Sequence, residues 1–559
     1  VNDLVLKRHG PLFLLLRVLS PRDALRLRAL FGGVAVPSLR IGVCVTIPLV
    51  ALLTLDRVDL IPYAAFGSFT ALYCRNDPYA RRARLLALVG AGLVLCVLTG
   101  ALTSLLTDSG VVKVIAVAAV AAAAKLVADA RALGPPGGLM FVFAAGAAAY
   151  APQAWSTLPW VAASTASAAL LCWCVALLGR LAHRTAPQRL ATARALVAVA
   201  AFLTAEGAAL PAARHQAHLE VRRSWQALQD GSVTAGSEAV HRLEALTARA
   251  ESLLHAPGTP PTNARTAAGL RELARRTRLR RLPDVLSTDS ERAEPRSRAE
   301  QVRGAASTDR PLAPRAGLRR LSPLLPGAAR VGVACLLAGL TGIALGFDHA
   351  YWALVSAGAV LQTVNVTTTW HRTLQRAAGT LLGAGLAIAL FGLDPAPAVI
   401  LVVIVACQIG AELVVMVNYA FAIVFVTPLT LALTHLTHPA PTDAVVAERV
   451  AATLIGALIG VVVSIAVVNG GALPRLRAAL QSCMEAEARL RRVREESPEE
   501  VPAARDRLAH AVVALREAYS VAGGEPWTNG FSTEEVMDAE QAAYAALTAA
   551  SRRETAPAG

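Results

Sequence analysis

Charge is scarce in this chain. Asp, Glu, Lys and Arg make up 17% of its 559 residues, where a soluble domain of that size carries about a quarter. That shortage argues against a soluble globular protein. Familiar chemistry is scarce too. There is no phosphate-binding loop, no catalytic triad and no zinc-ligand spacing, and Gly90-x-Gly92 lies inside an apolar run without a dinucleotide context. Eight cysteines include no C-x-x-C pair. All but Cys483 fall in or beside apolar runs, so each is expected to be a small buried hydrophobe. The chain is therefore expected to be no enzyme and to use no cofactor or metal.

What is abundant is apolar sequence. Hydrophobic residues are 55% of the chain and mean hydropathy is positive, at +0.49. Runs of 17 or more apolar residues recur, and each could span a bilayer. The expected fold is an all-α polytopic membrane protein. It has about twelve transmembrane helices as two parallel six-helix repeats, with cytosolic helical regions. Net charge is +15. The excess lies in residues 1–40 and 183–326, whereas 470–559 is acidic on balance. That distribution fits the positive-inside rule. No nucleic-acid recognition motif accompanies it, so no nucleic-acid partner is expected.

Five regions follow. Residues 1–36 form a basic amphipathic leader with Lys7, Arg8, Arg17 and Arg22, suited to an anionic leaflet. Residues 37–182 hold six spans, at about 38–55, 59–75, 85–106, 111–128, 139–152 and 158–180. The loop from Arg75 to Arg84 carries four arginines and should be cytoplasmic. Residues 183–326 read as a cytosolic helical region. Ala239, Leu243, Leu246, Ala250 and Leu253 mark an amphipathic helix, and 284–317 a linker. The stretch 195–213 could be a further span, but a juxtamembrane or buried helix is preferred. Residues 327–469 hold six more spans, at about 328–346, 350–367, 377–393, 396–413, 416–434 and 446–468. Residues 470–559 form a helical tail marked by Leu508, Val512, Leu515 and Tyr519. Both termini are expected in the cytoplasm.

The two membrane blocks resemble one another. Arg40-Ile-Gly-Val matches Arg330-Val-Gly-Val, and Val89-Gly-Ala-Gly-Leu93 matches Leu382-Gly-Ala-Gly-Leu386 at nearly the same offset. Six spans is an even number, so the copies are parallel, and a shared pathway would lie between them.

The second copy carries the sharper candidates. Arg372 and Arg376 are one turn apart, placed where spans eight and nine turn round. They could hold a carboxylate at the cytoplasmic mouth, or mark topology and grip lipid phosphates. Arg81 and Arg84 are their first-copy counterparts. Gln362 and Asn365, with Asn418 and Tyr419, could line a hydrated passage or bond helix to helix. Trp352 could stack a substrate, though an interfacial anchor is favoured. Glu412 and Asp129 are proton-coupling candidates. Glu412 could equally be an interfacial residue, and Asp129 could simply pair with Lys125.

These residues carry a resemblance. Tyr351-Trp352 at a span start, Gln362-Thr363, the Arg372/Arg376 pair, Gly379-Thr-Leu-Leu-Gly383, and Asn418-Tyr419 before Phe425-Val-Thr-Pro428 resemble the FUSC (fusaric acid resistance protein-like) family. The resemblance covers the whole chain, with the second block closer than the first. That family includes aromatic carboxylic acid exporters and is distantly similar to plant aluminium-activated malate transporters. The resemblance implies a bacterial inner-membrane exporter of small organic, aromatic carboxylate, anions. A passive anion channel and a non-transporting scaffold with a basic partner-binding region are the alternatives. Expected partners are the anion, membrane lipids and, optionally, further copies of the chain.

Overall fold

A backbone in lipid must satisfy its own hydrogen bonds, which restricts apolar runs such as these to helices. The computed structural model describes residues 35–230, 238–255, 260–279, 322, 324–392, 395–415, 417–437, 442–467, 470–526 and 531–554. The basic leader, all but its last residues, and the 284–317 linker lie outside them. Every regular element described is helical.

The first apolar set is α1 (Ala35–Thr54), α2 (Ile61–Ser68, extended by 3-10 turns at either end), α3 (Tyr79–Leu106), α4 (Gly110–Ala130), α5 (Leu139–Tyr150) and α6 (Leu158–Ala182). The second is α11 (Leu325–Ala344), α12 (Tyr351–Val360), α13 (Val366–Phe391), α14 (Pro397–Val414), α15 (Tyr419–Thr437) and α16 (Thr442–Ala466). Seven of these are long and apolar enough to cross a membrane: α3, α4, α6, α11, α13, α14 and α16. The remaining five are shorter apolar helices.

The sets pack alike. In the first, α1 lies on α2 and α6, α2 on α6, α3 on α5 and α6, and α4 on α5. In the second, α11 lies on α12 and α16, α12 on α16, α13 on α15 and α16, and α14 on α15. Between sets, α4 packs on α11 and α1 on α14, while α5 meets α12 and α2 meets α15. One hydrophobic core runs through both.

Glycines make the closest of these contacts. A Cβ at Gly456 of α16 would sit 2.0 Å from the Ala353 carbonyl oxygen of α12, and one at Gly67 of α2 would sit 2.2 Å from that of Thr165 in α6. Small residues let backbones approach where lipid offers no hydrophobic drive.

Two bundles with cores of their own complete the chain. The middle bundle is α7 (Ala186–Leu203), α8 (Leu210–Asp230), α9 (Glu238–His255) and α10 (Pro260–Arg278). The stretch 195–213 is divided between α7 and α8 by a break at 204–206. Its apolar residues Ala195, Leu196 and Val199 are buried in this bundle. The tail bundle is α17 (Ala472–Glu496), α18 (Val501–Ala522) and α19 (Thr533–Glu554), with Leu508, Val512 and Leu515 inside it.

Gly456→Ala should therefore drive α16 off α12. It should lower stability by about 1–3 kcal/mol, read as the thermal midpoint of the purified chain. Gly385→Ala, where no atom lies within 4 Å of the added Cβ, should leave that midpoint unchanged or raise it.

Candidate functional site

The site is set by where α13 begins. Asn365 is extended, and its side chain accepts a hydrogen bond from the Thr368 backbone N–H at 3.0 Å. This N-cap starts the helix eleven residues before the expected position. The polar collar is thus the break between two helices, and α12 is only ten residues long with every residue buried. Arg372 and Arg376 are not at a turn. Arg376 lies ten residues after Val366, roughly 15 Å along the helix at 1.5 Å per residue.

Arg376 is 3% exposed. Its Nη1 donates to the Tyr419 hydroxyl at 3.0 Å and its Nη2 to the Ser356 hydroxyl at 3.2 Å. Arg372 shares the same ring, its guanidinium lying 4.9 Å over the Tyr419 centroid. The i, i+4 spacing does bring the two arginines to one tyrosine. Facing Arg376 is a third guanidinium, Arg449 of α16, which repels it electrostatically. Arg449 is also 3% exposed. It lies 5.2 Å over the ring of Trp352, which stacks on His349 at 4.5 Å. Trp352 is fully buried, so it is no interfacial anchor.

Charge balance is the notable feature. Arg376 Nε and Arg449 Nε and Nη1 are buried without a hydrogen-bond partner among the described residues. Glu448, next to Arg449 in sequence, is committed to His349. It accepts from the backbone N–H at 2.6 Å and meets the ring Nδ1 at 3.0 Å. Two buried guanidinium groups are thus held by hydroxyls and aromatic faces, with no carboxylate on either among the described residues. Such a pair can grip a carboxylate through charge-assisted bonds, and an anion would offset their mutual repulsion. Next to the Trp352–His349 stack, Tyr63, Phe66, Phe143, Tyr150, Tyr351 and His349 line a small aromatic-walled cavity of about 30 Å³ between the two sets.

The other sequence candidates are engaged elsewhere. Gln362 accepts from the Gly138 N–H at 3.1 Å and donates to the Gly358 carbonyl at 3.2 Å. Asn365 also donates to the Ser520 carbonyl at 3.0 Å, and the Thr367 N–H donates to the Gly524 carbonyl at 3.2 Å. The end of α18 therefore covers the α12–α13 break. Asn418 accepts from the Ala420 N–H at 2.8 Å, opening α15. Glu412 forms an ion pair with Arg75, joining the two sets. Asp129 pairs with Lys125 at 3.0 Å. Arg81 is bound by Asp77 at 3.2 Å and Asp230 at 3.7 Å, and Arg84 is exposed. The buried arginine of the first set is instead Arg82, anchored to the carbonyls of Cys74, Arg75 and Ala176.

Sequence reasoning missed Arg449 because it ends a polar stretch and reads as a loop residue. Its signal was an arginine one helical turn into an apolar run, beside a glutamate.

Residues 333–463 match the family described as fusaric acid resistance protein-like. That match falls within the second set of helices. An uncharacterized membrane protein of Bacillus subtilis (strain 168), YvaC, is 26% identical over 526 residues, covering 88% of this chain and 82% of that protein. No solved structure matches the chain. The match contains α12, α13, α15 and the arginines at 372, 376 and 449. Over that stretch the chain is similar to fusaric acid resistance protein-like proteins, and its long apolar helices are those of a membrane protein.

The Arg75–Glu412 pair yields a test. Glu412→Gln should destabilise by about 1–3 kcal/mol, because it leaves the half-buried Arg75 guanidinium without its carboxylate. The double variant Arg75→Met/Glu412→Met should recover most of the loss, as read by a double-mutant cycle in thermal unfolding.

Proposed function

We propose that this protein is a transporter that exports small organic anions, aromatic carboxylates in particular, across a bacterial inner membrane. The observation that carries the reading is the buried Arg376–Arg449 pair, two guanidinium groups within electrostatic reach of one another that keep unpartnered N–H groups and have no carboxylate among the described residues. An intramembrane charge without a partner is costly, and a site that retains two of them does so for a ligand. The aromatic lining formed by Tyr63, Phe143, Tyr150 and Tyr351 favours an aromatic body for that ligand, which the cavity of about 30 Å³ must widen to admit. The match of residues 333–463 to a family described as fusaric acid resistance protein-like supports the same class.

In this reading the twelve apolar helices lie within the membrane as two parallel six-helix repeats, the short ones sheltered by their neighbours, which the matching packing partners support. Both bundles and both termini lie in the cytoplasm. Arg372, on the ring of Tyr419 and less buried than Arg376, receives the carboxylate first. The anion then passes to Arg376 and Arg449, with its ring toward the cavity between the repeats. Arg81 and Arg84 take no part, being held at Asp77 and Asp230 or turned outward.

Export of radiolabelled benzoate from cells carrying Arg449→Met or Arg376→Met should fall by about 10–100-fold, the loss of one charge-assisted interaction. The thermal midpoint of either variant should hold or rise, since an uncompensated buried charge has been removed. Unchanged export from folded variants would overturn the reading. A collapse of stability without any benzoate effect on the wild type would assign the arginines to the fold instead.

A further inference from the structure

A second unassigned site lies where the middle and tail bundles meet. Arg214 of α8, Arg494 of α17, and Gln541, Tyr544 and Thr548 of α19 line a cleft of about 570 Å³, a size that suits a small-molecule ligand. The cleft has two cations in its lining and no acid. Arg214 is fixed by aromatic faces, 5.5 Å over Phe202 and 5.0 Å over Tyr544, which leaves its N–H edge free to bind. Arg494 Nε and the Tyr544 hydroxyl are both buried without a partner among the described residues, and Tyr544 is only 6% exposed. The neighbouring carboxylate Glu540 is paired with Arg516 at 2.9 Å. Burial beside Glu540 holds the Tyr544 phenol above its usual range, so it stays a neutral donor. Burial likewise holds His218, tilted against Tyr544 at 5.0 Å between ring centroids, well below its usual range and so uncharged.

We propose that this cleft is an effector site for a small oxyanion, a carboxylate or phosphate gripped by Arg214 and Arg494 with the Tyr544 hydroxyl as a third donor. A ligand there bridges the two bundles. The tail bundle also carries Ser520 and Gly524, which hydrogen-bond to the α12–α13 break, and Glu525, which lies 3.6 Å from Arg330 of α11. Occupancy of the cleft would therefore brace the tail against the membrane helices. The proposal does not depend on the transport reading.

Amide hydrogen exchange on the purified full chain tests it, with inorganic phosphate and benzoate as separate probes. Exchange across residues 541–549 should slow with at least one probe. Slowing with phosphate alone assigns a phosphate-bearing ligand, and slowing with benzoate alone an organic carboxylate. The effect should persist in Arg376→Gln, which separates this cleft from the membrane arginines. It should require about tenfold more probe in Arg494→Gln. Thr548→Leu, which fills the cleft without touching charge, should abolish it and carries the test if Arg494→Gln misfolds. No slowing with either probe, or undiminished slowing in folded Thr548→Leu, would overturn the proposal.

Discussion

A ten-residue helix cannot cross a bilayer. At 1.5 Å per residue α12 is roughly 15 Å long, against a hydrocarbon thickness of about 30 Å. Its ends must then be sheltered by protein, since lipid cannot satisfy freed backbone groups. The rest of the second set follows from that requirement. Gly456 lets α16 close on the Ala353 carbonyl, Asn365 caps the next helix, and the end of α18 covers the break. The same break leaves Ser356, near the middle of α12, facing Arg376. A short helix thus creates the sheltered polar interior in which two arginines can be buried.

That interior is unusual in its balance. Several other buried or half-buried charges among the described residues find partners of opposite sign: Arg75 with Glu412, Lys125 with Asp129, Arg516 with Glu540. Arg82 finds three carbonyls. Arg376 and Arg449 find only hydroxyls, rings and each other. The contrast sets Arg376 and Arg449 apart from the charges that tie helices together, and it is the ground on which the proposed function places the substrate in the second set of helices.

Much of this was legible in the sequence. Apolar runs located the helices because lipid permits no other structure for them. The heptad-like spacing of Leu243, Leu246 and Ala250 marked a helix of the middle bundle. The small-x-x-x-small pairs Gly379/Gly383 and Gly456/Gly460 are readable in the sequence as sites of close helix approach, and a Cβ at Gly379 or Gly456 would lie 2.5 or 2.0 Å from a neighbouring carbonyl oxygen. The helix break at 361–365 was not legible, because Gln362 to Asn365 reads as a polar collar within one continuous run until Asn365 is recognised as a cap. Arg449 was not legible for a related reason. Whether an arginine near a helix end snorkels outward or turns inward depends on its neighbours, here Trp352 and His349, which are about a hundred residues away in the chain. Trp352 misled for the reverse reason, since aromatic residues at span starts usually sit at the interface and this one is packed behind His349.

The central claim is that Arg376 and Arg449 together hold a carboxylate. The most direct measurement is a cryo-electron microscopy map of the protein in lipid nanodiscs with 4-bromobenzoate. The account predicts density for the carboxylate between the two guanidinium groups, with the bromine toward Tyr63 and Phe143. A map in which a protein carboxylate occupies that position, or in which the two guanidinium groups remain bare at saturating ligand, would contradict it.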